Sequence, residues 1–406
     1  MIKFKLFLLA LLISQVGQGQ NFSLNKGKTQ TQDYYTEITF EYVKSKIIIP
    51  VEIEGKTYRF ILDTGAPNII SKELSYLLKN DSLTTIPITD INQKKKQLKV
   101  VSIPEIILGD IIFENSAALV FDLKQDKIID CFGIDGFIGS NMLRNSILQI
   151  QLNNKRLIIT DQKNKLQLNR KNSTKLKLLG IQSSPFVWIN LFGNGKAKEQ
   201  VLIDTGMIGF YDMSKKNFKT FNDKNIIQFI DSSNGGHTGG IFGFVDKTLH
   251  YRSLIPEIKL GNSSFLNFVT TTSNDKFSKI GTDILNYGEI TIDYKNKRFY
   301  FVSFKKETDL KEKVLGFVST FIDNKIVVGF VWDKELKNLI DFGDEIIEVN
   351  NTKIHESDFC DLVLVKTVFK NDKKFNILIK RKNGDRIELN LEKKYFPDSV
   401  YLQNKK

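Results

Sequence analysis

The sequence predicts a mainly β chain: two pseudo-symmetric lobes followed by a small β/α module. Three observations carry that prediction. Apolar and polar residues alternate with a period of two over many short runs, as half-buried strands require. A long block of sequence occurs twice, and the C-terminal part of the chain matches neither copy. At 406 residues there is room for two or three domains, each with its own core.

Residues 1–20 read as a signal peptide, with Lys3 and Lys5, an apolar run from Leu6 to Ile13, and small residues near Gly17 and Gly19. That run is too short to span a bilayer, and no later segment is long and apolar enough to do so. The expectation is an exported protein, periplasmic or secreted after cleavage of the leader, with no stable membrane span. The two cysteines, Cys131 and Cys360, fall in different predicted domains. Both therefore read as buried thiols, and no disulfide framework is expected. The three histidines form no metal pair at helical spacing and accompany no nucleophile motif. Zinc and Ser-His chemistry are hard to build from this inventory, no metal or other cofactor is expected, and carboxylates remain the chemical resource. The net charge of +13 comes from lysines spread along the whole chain, which read as a solvated surface with no nucleic-acid partner. Binding of an anionic polymer, the competing reading of that charge, would be lost steeply with salt.

The first lobe is expected over residues 36–165 and the second over 166–305. Phe60–Asn68 reads FILDTGAPN and Val201–Gly209 reads VLIDTGMIG, with Asp63 and Asp204 141 residues apart. Ile103–Gly109 matches Ile255–Gly261 at an offset of 152, and the stretch from Phe137 matches the one from Lys279 at 142. The change of offset places an insertion in the second copy at Asn234–Gly243, NGGHTGGIFG. Two copies are too few for a solenoid, so a pair of lobes is expected. Within them Tyr58, Phe60 and Leu62, then Leu148, Ile150 and Leu152, and then Ile290 and Ile292 alternate as strand residues. NNKR and KNKR, ending at Arg156 and Arg298, fit hairpin tips. One short helix per lobe is expected, over Ser71 to Lys79 and after Gly281.

A carboxylate at the end of a buried strand is costly unless something nearby needs it. Two such carboxylates on matching turns fit a dyad sharing one proton, because like charges so close cannot both ionise. Asp63 and Asp204 are the expected catalytic pair. Thr64 and Thr205 suit bonds across to the opposite lobe, and Gly65 and Gly206 let backbone approach the carboxylates closely. On these residues, together with Ile138-Gly139 and Ile280-Gly281, the chain resembles the aspartic protease family, combining a pepsin-like bilobal chain with lobes as short as those of retroviral proteases. The resemblance covers roughly Thr36 to Ser303. It implies apolar-Gly elements crossing beneath the active-site loops, a peptide or protein substrate, and a hairpin flap over the cleft. Gly235, Gly236, Gly239 and Gly240 are the flap candidates, an exposed loop being the alternative. Lys94-Lys95-Lys96 reads as a hairpin tip of the first lobe. The residues after Gly, Ala66 and Met207, bring no hydroxyl to the carboxylates, which predicts a rate profile centred at mildly acidic to near-neutral pH.

Residues 311–395 form the third module. Leu315, Gly316 and Phe317 followed by Phe342–Asn351, FGDEIIEVNN, resemble the carboxylate-binding loop and Gly-Asp strand of a PDZ domain. That resemblance implies capture of a protein C-terminus, with a closed packing module as the alternative. A recruiting or regulating module would leave cleavage of short peptides intact when removed. The leading function is an aspartic endopeptidase, and the runner-up is a non-catalytic peptide-binding or scaffolding protein of the same bilobal fold.

Overall fold

The structure is a computed structural model that describes residues 22–79, 81–89, 94–236, 247–365, 368–369 and 372–395. The signal-peptide reading of residues 1–20 lies outside the described residues. Among the described residues the strands form three sheets of nine, fourteen and six strands, so the chain is mainly β.

In the first lobe Lys46–Ile53 pairs antiparallel with Lys56–Asp63, and Gly136–Gly139 runs parallel to the latter with Gly139 level with Asp63. The second lobe repeats this with Lys196–Ile203 beside Lys279–Ile280, where Leu202 pairs with Lys279. Ile47, Ile49, Phe60, Leu62 and Ile138 of one lobe share a buried cluster with Val201, Ile203 and Ile280 of the other. The sites at the ends of these strands therefore rest on one continuous core. Each lobe carries a helix capped by a serine. Ser71 Oγ accepts from Leu74 N–H at the start of Lys72–Leu77, and Ser214 Oγ accepts from Asn217 N–H at the start of Lys215–Asp223. The helix expected after Gly281 is a 3-10 turn, Thr282–Asn286.

The two lobes are joined through a shared sheet. Ile147–Gln151 pairs antiparallel with Gly288–Asp293, and Gln149 faces Thr291, its own counterpart in the repeat. Gln149 Nε2 donates to Thr291 Oγ1 at 3.1 Å, so the pseudo-twofold axis passes through this pair. The hairpins on either side turn at NNKR and KNKR, where the equivalent Lys155 and Lys297 both adopt positive φ, 48° and 53°.

The third module has strands Phe317–Ile322, Lys325–Val331, Glu345–Val349, Lys374–Lys380 and Arg386–Glu392 in that order, and the helix Phe359–Leu364. It contacts both lobes. Cys360 on its helix is bonded to Cys131 of the first lobe, on Lys127–Cys131. The expectation of two buried thiols is thereby corrected: the residues lie 229 apart in sequence but 5.1 Å apart at Cα. Phe321, Phe359, Val363 and Leu364 of the module join Ile128, Ile129 and Phe132 of the first lobe in one apolar cluster. Those residues bring the two short helices together and so present the thiols to each other. No helix among the described residues is long and apolar enough to cross a membrane.

Candidate active site

Strand geometry delivers the two aspartates. Lys56–Asp63 is buried through Phe60, Ile61 and Leu62 and then breaks at Thr64-Gly65, leaving Asp63 at its exit. Ile203 likewise ends its strand beside Asp204. The two turns interlock. Thr64 N–H donates to Thr205 Oγ1 at 3.0 Å and Thr205 N–H donates to Thr64 Oγ1 at 3.1 Å. Each hydroxyl then donates onward beneath the other lobe's aspartate, Thr64 to Ile203 O at 2.6 Å and Thr205 to Leu62 O at 2.8 Å. Both hydroxyls and both N–H groups of this buried crossing are thus paired, as burial demands.

The glycines show how close the carboxylates come. A Cβ on Gly65 would lie 2.5 Å from Asp204 Cγ and Oδ1, and one on Gly206 would collide with Asp63 Oδ2. Each carboxylate thus occupies the space of a missing side chain on the opposite turn. Gly65 and Ala66 N–H donate to Asp63 Oδ1 at 2.9 and 3.0 Å, and Gly206 N–H donates to Asp204 Oδ1 at 3.0 Å. Gly139 and Gly281 lie beneath the loops. Gly139 N–H donates to Asn68 Oδ1 at 2.8 Å, and a Cβ on Gly281 would press against the Met207 carbonyl at 2.6 Å. Met207 preserves the turn, since its N–H donates to Asp204 O as Ala66 N–H does to Asp63 O.

Two lysines and two further aspartates surround this pair, and the motifs alone do not announce them. Lys279 Nζ contacts Asp204 Oδ2 at 2.9 Å and Asp275 Oδ2 at 2.7 Å. Asp212 is paired with Lys279 across the strands. Lys46 is level with Asp63 when the pairing of Ile48 with Ile61 is continued, and its Nζ donates to Gly206 O. One signal for Lys279 was present in the repeat: its counterpart in the first lobe is Phe137. A lysine at a buried strand position needs a carboxylate partner.

The electrostatics follow from this arrangement. Burial, reinforced by the Asp204 charge, pushes Asp63 up to about 7 against the pull of Lys46, Lys279 and the Gly65 N–H. Burial would push Asp204 upward too, but Lys279, with Lys46 and the Gly206 N–H, holds it below the ordinary aspartate value. Burial lowers Lys46, with Asp63 and Asp204 opposing. It would lower Lys279 as well, but Asp204 and Asp275 outweigh it and raise that lysine. Desolvation lifts Asp212 to about 7. The surrounding charges thus favour the charge on Asp204 and the proton on Asp63. No hydroxyl follows Gly65 or Gly206, and it is Lys279 that contacts the Asp204 carboxylate, at 2.9 Å.

Of the flap candidates, Gly239 and Gly240 lie outside the described residues. Gly235 and Gly236 end the hairpin Gln228–Gly235/Thr248–Leu260 and abut the third module, where Gly236 N–H donates to Gly329 O at 3.2 Å. The matching first-lobe hairpin, Ser82–Thr89/Lys95–Leu108, carries Lys95 and Lys96 on its strand. In the third module Leu315 and Phe317 are buried core residues, and Gly316 O accepts from Trp332 and Asp333 N–H. Among the described residues no group of three or more His, Cys, Asp or Glu is arranged to hold a metal ion.

No curated protein matches the chain. Solved structures similar to it include a retropepsin-like aspartic protease from Rickettsia conorii, 18% identical over 33% of this chain and 94% of that one, TM-score 0.23. An aspartic proteinase from Irpex lacteus is 10% identical over 67% of this chain and 98% of its own, TM-score 0.41. Conglutin gamma, a basic 7S globulin from lupine seeds, is 10% identical over 68% and 96%, TM-score 0.40. Residues 49–142, which contain Asp63, Thr64, Gly65 and Gly139, match the family model described as aspartyl protease.

Proposed function

We propose that the chain is an exported aspartic endopeptidase in which Asp63 and Asp204 hydrolyse peptide bonds. The observation that carries this reading is the interlocked pair of turns, each glycine making room for the opposite carboxylate. Asp204, ionised, takes a proton from a water as its oxygen bonds to the scissile carbonyl carbon, and Asp63 gives its proton to the carbonyl oxygen. When the tetrahedral species collapses, the C–N bond breaks and the leaving nitrogen takes the proton held by Asp204. Asp63 recovers a proton from the diol hydroxyl, which restores the starting state. The Cys131–Cys360 bridge supports export, since disulfides persist in oxidising compartments. The third module, PDZ-like in its sequence, is assigned a regulatory role through its grip on the second-lobe hairpin.

The Lys279–Asp204 ion pair favours a second reading, a peptide-binding protein that does not hydrolyse. A mixed-peptide digest between pH 3 and 8, with and without a statine inhibitor, separates the two. New termini that appear without inhibitor and vanish with it support hydrolysis. Inhibitor binding with no new termini at any pH supports the second reading.

A further inference from the structure

Two equivalent carboxylates on a pseudo-twofold axis would share their proton without preference. This site is not symmetric, because Lys279 stands where the first lobe has Phe137. Its ammonium bridges Asp204 and Asp275 at 2.9 and 2.7 Å, with the side chain 10% exposed, so neither contact is relaxed by water. The backbone fixes this placement. Lys279 is bonded in register between Leu202 on one side and Asp212 on the other, in the strand that lies beside the one leading to Asp204. The charged groups facing Asp204 are Lys279, Lys46 from Lys46–Ile53, Asp63 from the first turn, and Asp275 and Asp212 from its own lobe.

We propose that Lys279 is a positioning residue that assigns the roles of the dyad, holding Asp204 as the ionised base and leaving the proton on Asp63 as the acid. This rests on reading Asp63 and Asp204 as the hydrolytic pair. Lys279 bonds both Asp204 and Asp275. It acts through Asp204 Oδ2, and Asp275 anchors it from behind. The assignment reaches beyond the Asp-Thr-Gly motifs, which are alike in the two lobes and distinguish no base from acid.

The test compares Lys279→Met and Lys279→Arg with the wild type by the pH profile of kcat/KM and by carbon-13 NMR titration of the aspartate carboxyls. In Lys279→Met the acidic limb should rise by about one to three pH units, the usual effect of losing an opposite charge at contact distance. The alkaline limb should move less, and Lys279→Arg should keep the wild-type limb. A purely structural lysine would lower the whole profile without moving either limb, and that result overturns the proposal. Should Lys279→Met fail to fold, Lys279→Met/Asp275→Asn removes the stranded charge and gives the same reading. Should the wild type hydrolyse no peptide, the hydrolytic reading fails by itself. The titration still decides this proposal, because Asp204 must titrate below Asp63 and the gap must shrink in Lys279→Met. An unchanged Asp204 titration contradicts it.

Discussion

Asp212 shows how burial of single groups controls stability here. Its carboxyl keeps a proton to about 7 in the folded chain, against an unfolded value of 3.8. The folded state binds more protons between those values, so stability falls as pH rises from near 4 to near 7 and stays level above. Asp63 adds to the same fall, also being raised to about 7. Asp212→Asn should therefore melt close to the wild type at pH 4 and be the more stable at pH 8, by up to roughly 4 kcal/mol. Thermal unfolding across that range checks it, and a gap that is constant with pH contradicts the burial argument. Asp204 has the opposite sign: it stabilises above the ordinary aspartate range and loses that contribution only as pH falls through its depressed value. The sequence made Asp63 and Asp204 legible because each stands on a repeated motif at a strand end. Lys46, Asp212 and Asp275 were not legible, because their roles depend on which strands lie side by side.

The interlocked turns are the element on which the site depends. Thr64→Val would strand the Ile203 carbonyl and the Thr205 N–H, both deep in the crossing. Each buried group left unpaired costs about 1–3 kcal/mol. Thr64→Val and Thr205→Val should each lower the urea midpoint substantially, whereas Thr→Ser at either position retains the hydroxyl and most of the stability. Equal losses for Val and Ser would show that the methyl packing, and not the hydroxyl network, holds the lobes. Period-two alternation revealed the strands that end at these turns, and NNKR and KNKR revealed the hairpins that build the shared sheet. The helix Lys215–Asp223 was missed, since Phe218 and Phe221 give it only a narrow apolar face in a lysine-rich stretch. The contact that Gly235 makes was not legible. Gly235 faces Gly329 of a strand far along the chain, and two glycines that allow close approach leave no pattern to read.

At the scale of the whole molecule the third module braces both lobes. Lys337 Nζ pairs with Asp231 at 2.6 Å, Lys247 Nζ pairs with Asp341 at 2.7 Å, and Val331 N–H donates to Ser233 Oγ at 3.3 Å, all on the second-lobe hairpin. The disulfide holds the opposite side, on the first lobe. Nothing in the spacing of two cysteines in separate modules foretold that bond, because only the docked surfaces bring them together. Cys131→Ser/Cys360→Ser should cost roughly 2–5 kcal/mol, as loss of a native bridge typically does. It should also raise hydrogen exchange in Phe359–Leu364, and unchanged melting and exchange would show the bond to be incidental. The docking makes truncation before Lys311 a test of the module's role: intact turnover of short peptides shows recruitment or regulation, whereas reduced turnover with a loosened Gln228–Gly235 shows that the module completes the site. All of this presupposes that the two aspartates act as one unit, and the most direct measurement is hydrolysis of a cleaved peptide by Asp63→Asn, Asp204→Asn and the double variant. The account predicts that each single change abolishes turnover nearly as fully as both together, because base and acid serve one transition state. Near-normal turnover by a folded Asp63→Asn or Asp204→Asn would contradict it.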